Sequence, residues 1–230
     1  MKNTNWHNKT IIGVFSVTLF IIIIFGSLNL MIFNKDFYYK EYSKNNVYEK
    51  ISNNKTIAID TTKNITTNIM KYFRSNAELE YFTNTEKNHM SDVKSLINIM
   101  QVVYYCAAVI SIILFFYCYY TFKKEGVKFI RIITKSVLYS SIAAIIFLVS
   151  LFVMSVFYFN LLFMMFHLIF FPQGNWMFDS SSLLITLFPE QFFFDIALRI
   201  FIYALFQAII FFGIGYYLNT QLKVYDKHHH

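Results

Sequence analysis

Very little in this chain breaks a helix or builds a loop. Its 230 residues include two prolines and six glycines, and 14% of them are charged. A turn-dense fold is therefore excluded, and long uninterrupted helices are expected. Two cysteines make no disulfide framework. Cys106 and Cys118 lie in one apolar segment, and on a helix they would stand about 18 Å apart, too far to pair. No thiol metal motif, no HExxH, no GxSxG or Ser-x-x-Lys, no phosphate loop and no dinucleotide fingerprint occurs. The period-two alternation of a β-barrel is missing as well. Histidine is scarce once His228, His229 and His230 are set aside as the start of a purification tag, leaving His7, His89 and His167.

What is there is apolar surface. Hydrophobic residues make up 57% of the chain, the composition of a polytopic membrane protein. The many Asn, Lys, Ile, Tyr and Phe residues suggest an AT-rich, bacterial coding sequence. Four runs meet the length of about 20 apolar residues needed to cross a bilayer: Ile11–Phe33, Ile99–Phe122, Ile133–Phe159 and Ala197–Leu218. The first is too long for a signal-peptide core and lacks a small-residue cleavage site, so it reads as a retained helix. Lys123, Lys124, Lys128, Arg131 and Lys135 crowd the connection after the second run. The connection after the third carries Asp179, Glu190 and Asp195 and no basic residue before Arg199. The positive-inside rule then predicts a multi-pass protein with both termini in the cytoplasm. Its net charge of +7, spread over lysines beside the membrane, fits contact with anionic membrane lipid rather than nucleic acid.

The expected fold class is all-α integral membrane: four transmembrane helices with an extracellular cap segment and interfacial helices. The expected organisation is a cytoplasmic N-terminus and first helix over 1–33, an extracellular cap segment over 34–98, and a three-helix membrane region over 99–227. The loop at 160–196 would carry the active site, and 228–230 would be tag remnant. Within the cap, Val47–Ile59 allows a short strand, while Thr66–Phe82 and Thr85–Ile99 read as helices. The third apolar run continues to Phe171. As one straight helix it would approach 60 Å, so it must tilt, kink or lie in the outer interface. The aromatic run Leu183–Asp195 reads as interfacial.

Two places carry chemistry. His89 is followed at i+3 by Asp92, so on a helix the two share a face. A carboxylate there can hold an imidazole in one tautomer and support its cation; a solvated helix face is the plain alternative. His167 lies near the end of the long apolar run, one turn before Pro172-Gln173-Gly174-Asn175-Trp176. An ionisable group at membrane depth is costly and points to function. A turn at that depth must line a polar cavity, where its N–H groups, Asn175 and the Trp176 indole can stabilise an oxyanion. An interior histidine satisfied by its neighbours is the alternative. Zinc is a weak competitor, with two histidines and scattered acids.

The runs FHLIFFPQGNWMFD and LFPEQFFFD, with NHMSDVKSLI upstream, resemble the bacterial lipoprotein intramolecular transacylase family (Lit). The resemblance covers the four-helix layout, and its specificity lies in the blocks around His89–Lys94 and His167–Asp195. It implies an enzyme of the bacterial cell membrane that moves the sn-2 acyl chain of a diacylglyceryl lipoprotein to the α-amine of its N-terminal cysteine, giving the lyso form. It implies two catalytic histidines, matched here by His89 and His167, at the extracellular face. Asp92, Asn175, Trp176, Asp179 and Glu190 match recurrent supporting positions. No metal and no cofactor is implied; the partners are diacylglyceryl lipoproteins and membrane lipid. An intermolecular lipoprotein N-acyltransferase is the nearest enzymatic alternative, and a membrane accessory or sensor protein the non-enzymatic one.

Overall fold

The computed structural model describes residues 2–52 and 54–228. The end of the expected tag, His229 and His230, lies outside the described residues. All the regular structure there is helical: α1 (Lys2–Ile32), α2 (Lys35–Lys44), α3 (Val47–Ile51), α4 (Lys55–Arg74), α5 (Asn84–Phe122), α6 (Gly126–Phe170), α7 (Leu183–Leu187) and α8 (Glu190–His228). Four of these, α1, α5, α6 and α8, are long and apolar enough to cross a membrane. At 39 residues α5 and α8 are each about 58 Å long, roughly twice the hydrocarbon thickness. The excess in α6 is taken up by a kink at Tyr158, where φ is −138° and ψ 34°.

The chain forms two compact units. One comprises Met1–Leu28, Gln101–Phe152 and Phe201–His230. Its helices meet through small side chains: Ser136, Ser140, Ser141, Ala144, Ala204 and Ala208 are all fully buried. A Cβ on Gly215 would sit 2.9 Å from Leu138 Cγ and 3.3 Å from its backbone nitrogen, so α8 and α6 touch there as only glycine allows. Polar ties are few. Ser111 donates to Thr18 at 2.8 Å, Gln207 to Ser27 at 2.8 Å, and Arg131 pairs with Asp226.

The other unit comprises Asn29–Met100 and Val153–Ile200. Here α4 is amphipathic, burying Ala58, Thr62, Ile65, Thr66, Ile69, Met70 and Phe73 at helical spacing. Asn54 caps it by accepting from Thr56 N and Ile57 N. The strand allowed at 47–59 is absent: α3 and the start of α4 occupy that stretch, and α4 ends at Arg74 instead of running on to Phe82. The cause is local. Two asparagines, Asn46 in the left-handed region at φ 55° and Asn54 as a side-chain cap, start helices where a short strand was allowed. Tyr38, Tyr42, Phe188 and Phe192 meet in the core, Tyr38 edge-on to both phenylalanines and Tyr42 stacked on Phe192. In the run Leu183–Asp195, Leu184, Leu187 and Phe192 turn into that core while Ile185 and Phe193 stay exposed.

Candidate active site

The site is built on α5, on the end of α6 and on the loop that follows it. α5 begins with a reciprocal cap. Thr83 N donates to Glu86 Oε2 at 2.9 Å, and Glu86 N to Thr83 Oγ1 at 3.4 Å. The capping pair is thus Thr83 and Glu86, two residues earlier than a start at Thr85. His89 follows one turn later, 8% exposed, with Phe171 at 4.8 Å and Phe178 at 5.6 Å between ring centroids.

His167 lies in the last turn of α6 and is 7% exposed. Phe163 and Trp176 flank it at 4.3 and 4.7 Å. Its Nδ1 is 2.7 Å from the carbonyl oxygen of Phe163, one turn back. A carbonyl accepts only, so Nδ1 carries the proton and the neutral ring leaves the lone pair on Nε2. The chain then turns: Gly174 N donates to Phe171 O at 3.1 Å, and Gly174 takes φ +75°, a conformation that favours glycine. That turn returns Asn175 and Trp176 to the two histidines.

The imidazoles of His89 and His167 are near parallel, at 23°, with centroids 6.3 Å apart. This is too far for a direct hydrogen bond. It is close enough for one group placed between them to reach both. Asp92 does not meet the His89 ring as the i+3 spacing suggested. Its Oδ2 instead accepts from Gln173 Nε2 and Asn175 Nδ2, both at 2.6 Å. Those bonds fix the Asn175 amide with its nitrogen toward the carboxylate. The Asn175 side chain lies against His89. Asn175 Oδ1 and His89 Nδ1, both buried and without a bond of full geometry, are a complementary acceptor and donor. A bond from His89 Nδ1 to Asn175 Oδ1 would leave the proton of the neutral ring on Nδ1 and the lone pair on Nε2, as at His167. Trp176 Nε1 is a third buried group without a partner, a free donor beside the His167 ring.

The other two expected residues are not brought to this place. Asp179 is exposed and offers only its backbone, accepting from Ser182 N. Glu190 lines a separate cavity of about 370 Å³ with Phe159, Asn160, Gln191 and Phe194. Among the described residues, no group of three or more His, Cys, Asp or Glu side chains could hold a metal ion.

The model of one family, the lipoprotein intramolecular transacylase Lit, matches residues 13–193. This chain belongs to that family. The fold agrees. The in meso structure of the membrane integral lipoprotein intramolecular transacylase Lit from Bacillus cereus matches with a TM-score of 0.80 at 23% identity, over 96% of this chain and 99% of that one. A variant of the same Bacillus cereus protein with one histidine replaced by alanine gives 0.76, also at 23% identity, over 97% and 98%. Its arginine counterpart gives 0.74 at 23% identity, over 97% and 96%. No curated protein matches. As a Lit protein the chain is a multi-pass membrane acyltransferase that acts on lipoproteins.

Sequence reading missed part of what surrounds the histidines. Glu86 is 3% exposed and fully hydrogen-bonded. Its signal was present as Thr83-x-x-Glu86, the capping-box spacing. Gln173, Phe171 and Phe178 gave no local signal, because the turn alone brings them to α5.

Proposed function

We propose that this Lit protein carries out an O-to-N acyl transfer within one substrate molecule. It moves the sn-2 acyl chain of a diacylglyceryl lipoprotein onto the α-amine of its N-terminal cysteine. The observation that carries this reading is the pair of imidazoles 6.3 Å apart, with the Nδ1 of His167 held by the Phe163 carbonyl and Asn175 beside His89, next to an unpartnered indole N–H. No activated serine or cysteine accompanies them, so the nucleophile comes from the substrate. An α-amine has an ordinary pKa of about 8 and is partly neutral at cellular pH.

The amine nitrogen attacks the ester carbonyl carbon, and His89 Nε2 takes its proton. The Trp176 indole N–H faces the oxyanion that forms. The proton passes from His89 Nε2 to His167 Nε2 through the group held between the rings; the tetrahedral carbon then expels the glyceryl oxygen, which takes that proton from His167 Nε2 and leaves both rings neutral. The two ends of the reaction belong to one molecule, so holding it folded back supplies much of the acceleration. Asp92 supports the His89 cation through Asn175. The phenylalanines around both rings exclude water, which would otherwise hydrolyse the ester.

The positive-inside rule adds an orientation. Lys123, Lys124, Lys128, Arg131 and Lys135 lie in and beside the connection from α5 to α6. We therefore assign that side to the cytoplasm of a bacterial cell, both termini with it, and the histidines to the extracellular face.

The direct test is a synthetic diacylglyceryl lipopeptide offered with its α-amine free or acetylated. The free amine should give lyso-form product, and the acetylated one should be inert. Release of fatty acid from the acetylated peptide at the same rate would make this a lipase and defeat the reading.

A further inference from the structure

We infer that Glu86 is a positioning residue of the active site: its buried carboxylate clasps the loop that covers the two histidines and keeps that loop's rings and amide in place. The inference rests on the reading of His89 and His167 as the reacting pair.

Glu86 is 3% exposed. Its Oε2 accepts from Thr83 N and from Thr83 Oγ1, both at 2.9 Å. That half is an ordinary helix cap. The other half is not needed for capping: Oε1 accepts from Ser182 Oγ at 2.6 Å and from Leu184 N at 3.1 Å, on a segment almost one hundred residues further along. Four donors fill the acceptor sites of one ionised carboxylate. Behind the clasp, Leu184 and Leu187 are anchored in the aromatic core, so the held segment has a fixed base.

The segment from Phe171 to Leu184 is the one that supplies Phe171, Asn175, Trp176 and Phe178 to the histidines. It is gripped twice, each time from α5. Asp92, one turn after His89, takes Gln173 and Asn175 near its start. Glu86, one turn before His89, takes Ser182 and Leu184 at its end. His89 thus sits between two carboxylates that hold the same loop over it. Loss of either grip leaves the histidines on their helices but frees the groups that set tautomer and exclude water. Misplacing such groups by about 1 Å costs up to a hundredfold in rate.

The two halves of the clasp can be separated. Thr83→Ala weakens the cap of α5 alone, Ser182→Ala weakens the grip on the loop together with the cap that Ser182 Oγ gives Leu184 N at 3.2 Å, and Glu86→Gln disturbs the α5 cap and the grip. In a Trp6→Phe background, emission reports Trp176 alone, since the chain has two tryptophans. With a synthetic diacylglyceryl lipopeptide, Ser182→Ala and Glu86→Gln should lower kcat by roughly tenfold or more with little change in KM. They should also shift Trp176 emission while helix content is retained. Thr83→Ala should keep kcat within about twofold and leave that emission unchanged. If Trp176 emission is unmoved in Ser182→Ala and Glu86→Gln, and kcat falls only in step with melting temperature across all three, Glu86 is a cap and the inference is overturned. If emission shifts as expected but the parent protein forms no lyso product, the clasp stands and the proposed reaction fails instead.

Discussion

In the unit that carries most of the apolar helix length, a seam of small side chains runs beside larger apolar ones such as Ile23 and the stacked Phe152 and Phe201; in the other unit aromatic rings and carboxylates dominate the helix contacts. Ala144, Ala204, Ala208 and three buried serines line the first set of contacts. Tyr38, Tyr42, Phe188 and Phe192 line the second. The difference follows from the solvent. Lipid tails are as apolar as leucine, so helices in a bilayer gain by close van der Waals approach rather than by hiding hydrophobic bulk, and small residues permit that approach. Facing water, large rings gain by burial, on the order of 25 cal/mol for each Å² removed from solvent. A rigid aromatic core can also surround buried acids such as Glu86 and Glu41 with fixed donors, which a seam of alanines cannot do. The histidine pair proposed to react lies in the second unit, where such donors are at hand.

The comparison predicts that damage in the two units will look different. The largest effect belongs to the histidines. His89→Ala and His167→Ala should each lower lyso-lipoprotein formation by about 10²- to 10⁴-fold, the usual worth of general acid–base catalysis, with melting temperature nearly unchanged. Asp92→Asn comes next. It keeps an acceptor for Gln173 and Asn175 but removes the charge, so turnover should drop roughly tenfold while the fold survives. Unaltered turnover in that variant would reduce Asp92 to a loop anchor.

In the small-residue seam the reverse is expected. Gly215→Val drives a side chain into Leu138, including its backbone nitrogen. It should cost about 1–3 kcal/mol of stability by overpacking, with kcat per folded molecule preserved. A thermal melt and an active-site titration separate the two quantities. A fall in kcat at full folding would mean the seam transmits to the site.

The smallest effect concerns Glu41. It is 7% exposed, and burial first, then the neighbouring Asp195 carboxyl, raise its pKa above the ordinary 4.5. The folded protein therefore holds this proton more tightly than the unfolded chain. Stability falls as pH rises from 4.5 through the raised value, and the penalty persists at higher pH. Glu41→Gln should raise the melting temperature slightly at pH 7 and leave it unchanged at pH 4. A destabilised variant at pH 7 would mean that the ion pair of Lys44 with Asp195 depends on the Glu41 charge.

The long helices were legible because nothing in them competes with helix; length left tilt, kink or an interfacial path open for the third run, and α6 kinks at Tyr158. His167 stood out because ionisable groups are rare in its apolar run, and His89 because histidine is scarce and Asp92 follows it at i+3. The strand allowed at 47–59 failed because Asn46, by its left-handed backbone, and Asn54, by its side-chain cap, start helices there. The partner of Asp92 was misjudged for a different reason. Spacing of i+3 puts two side chains on one face, but a loop arriving from another part of the chain offered the carboxylate better donors in Gln173 and Asn175. Glu86 was legible as half of a capping box; its second half, to Ser182 and Leu184, depends on a fold that no local pattern encodes.

The central claim is that both reacting groups belong to one substrate molecule, and intact mass tests it most directly. Purified protein should convert a diacylglyceryl lipopeptide, with no second lipid present, into a product of identical mass. Fragmentation of that product should place one acyl group on the cysteine nitrogen and leave one hydroxyl free on the glycerol. A product heavier by one acyl chain, formed only when a donor phospholipid is added, would contradict the account and make the chain an intermolecular N-acyltransferase.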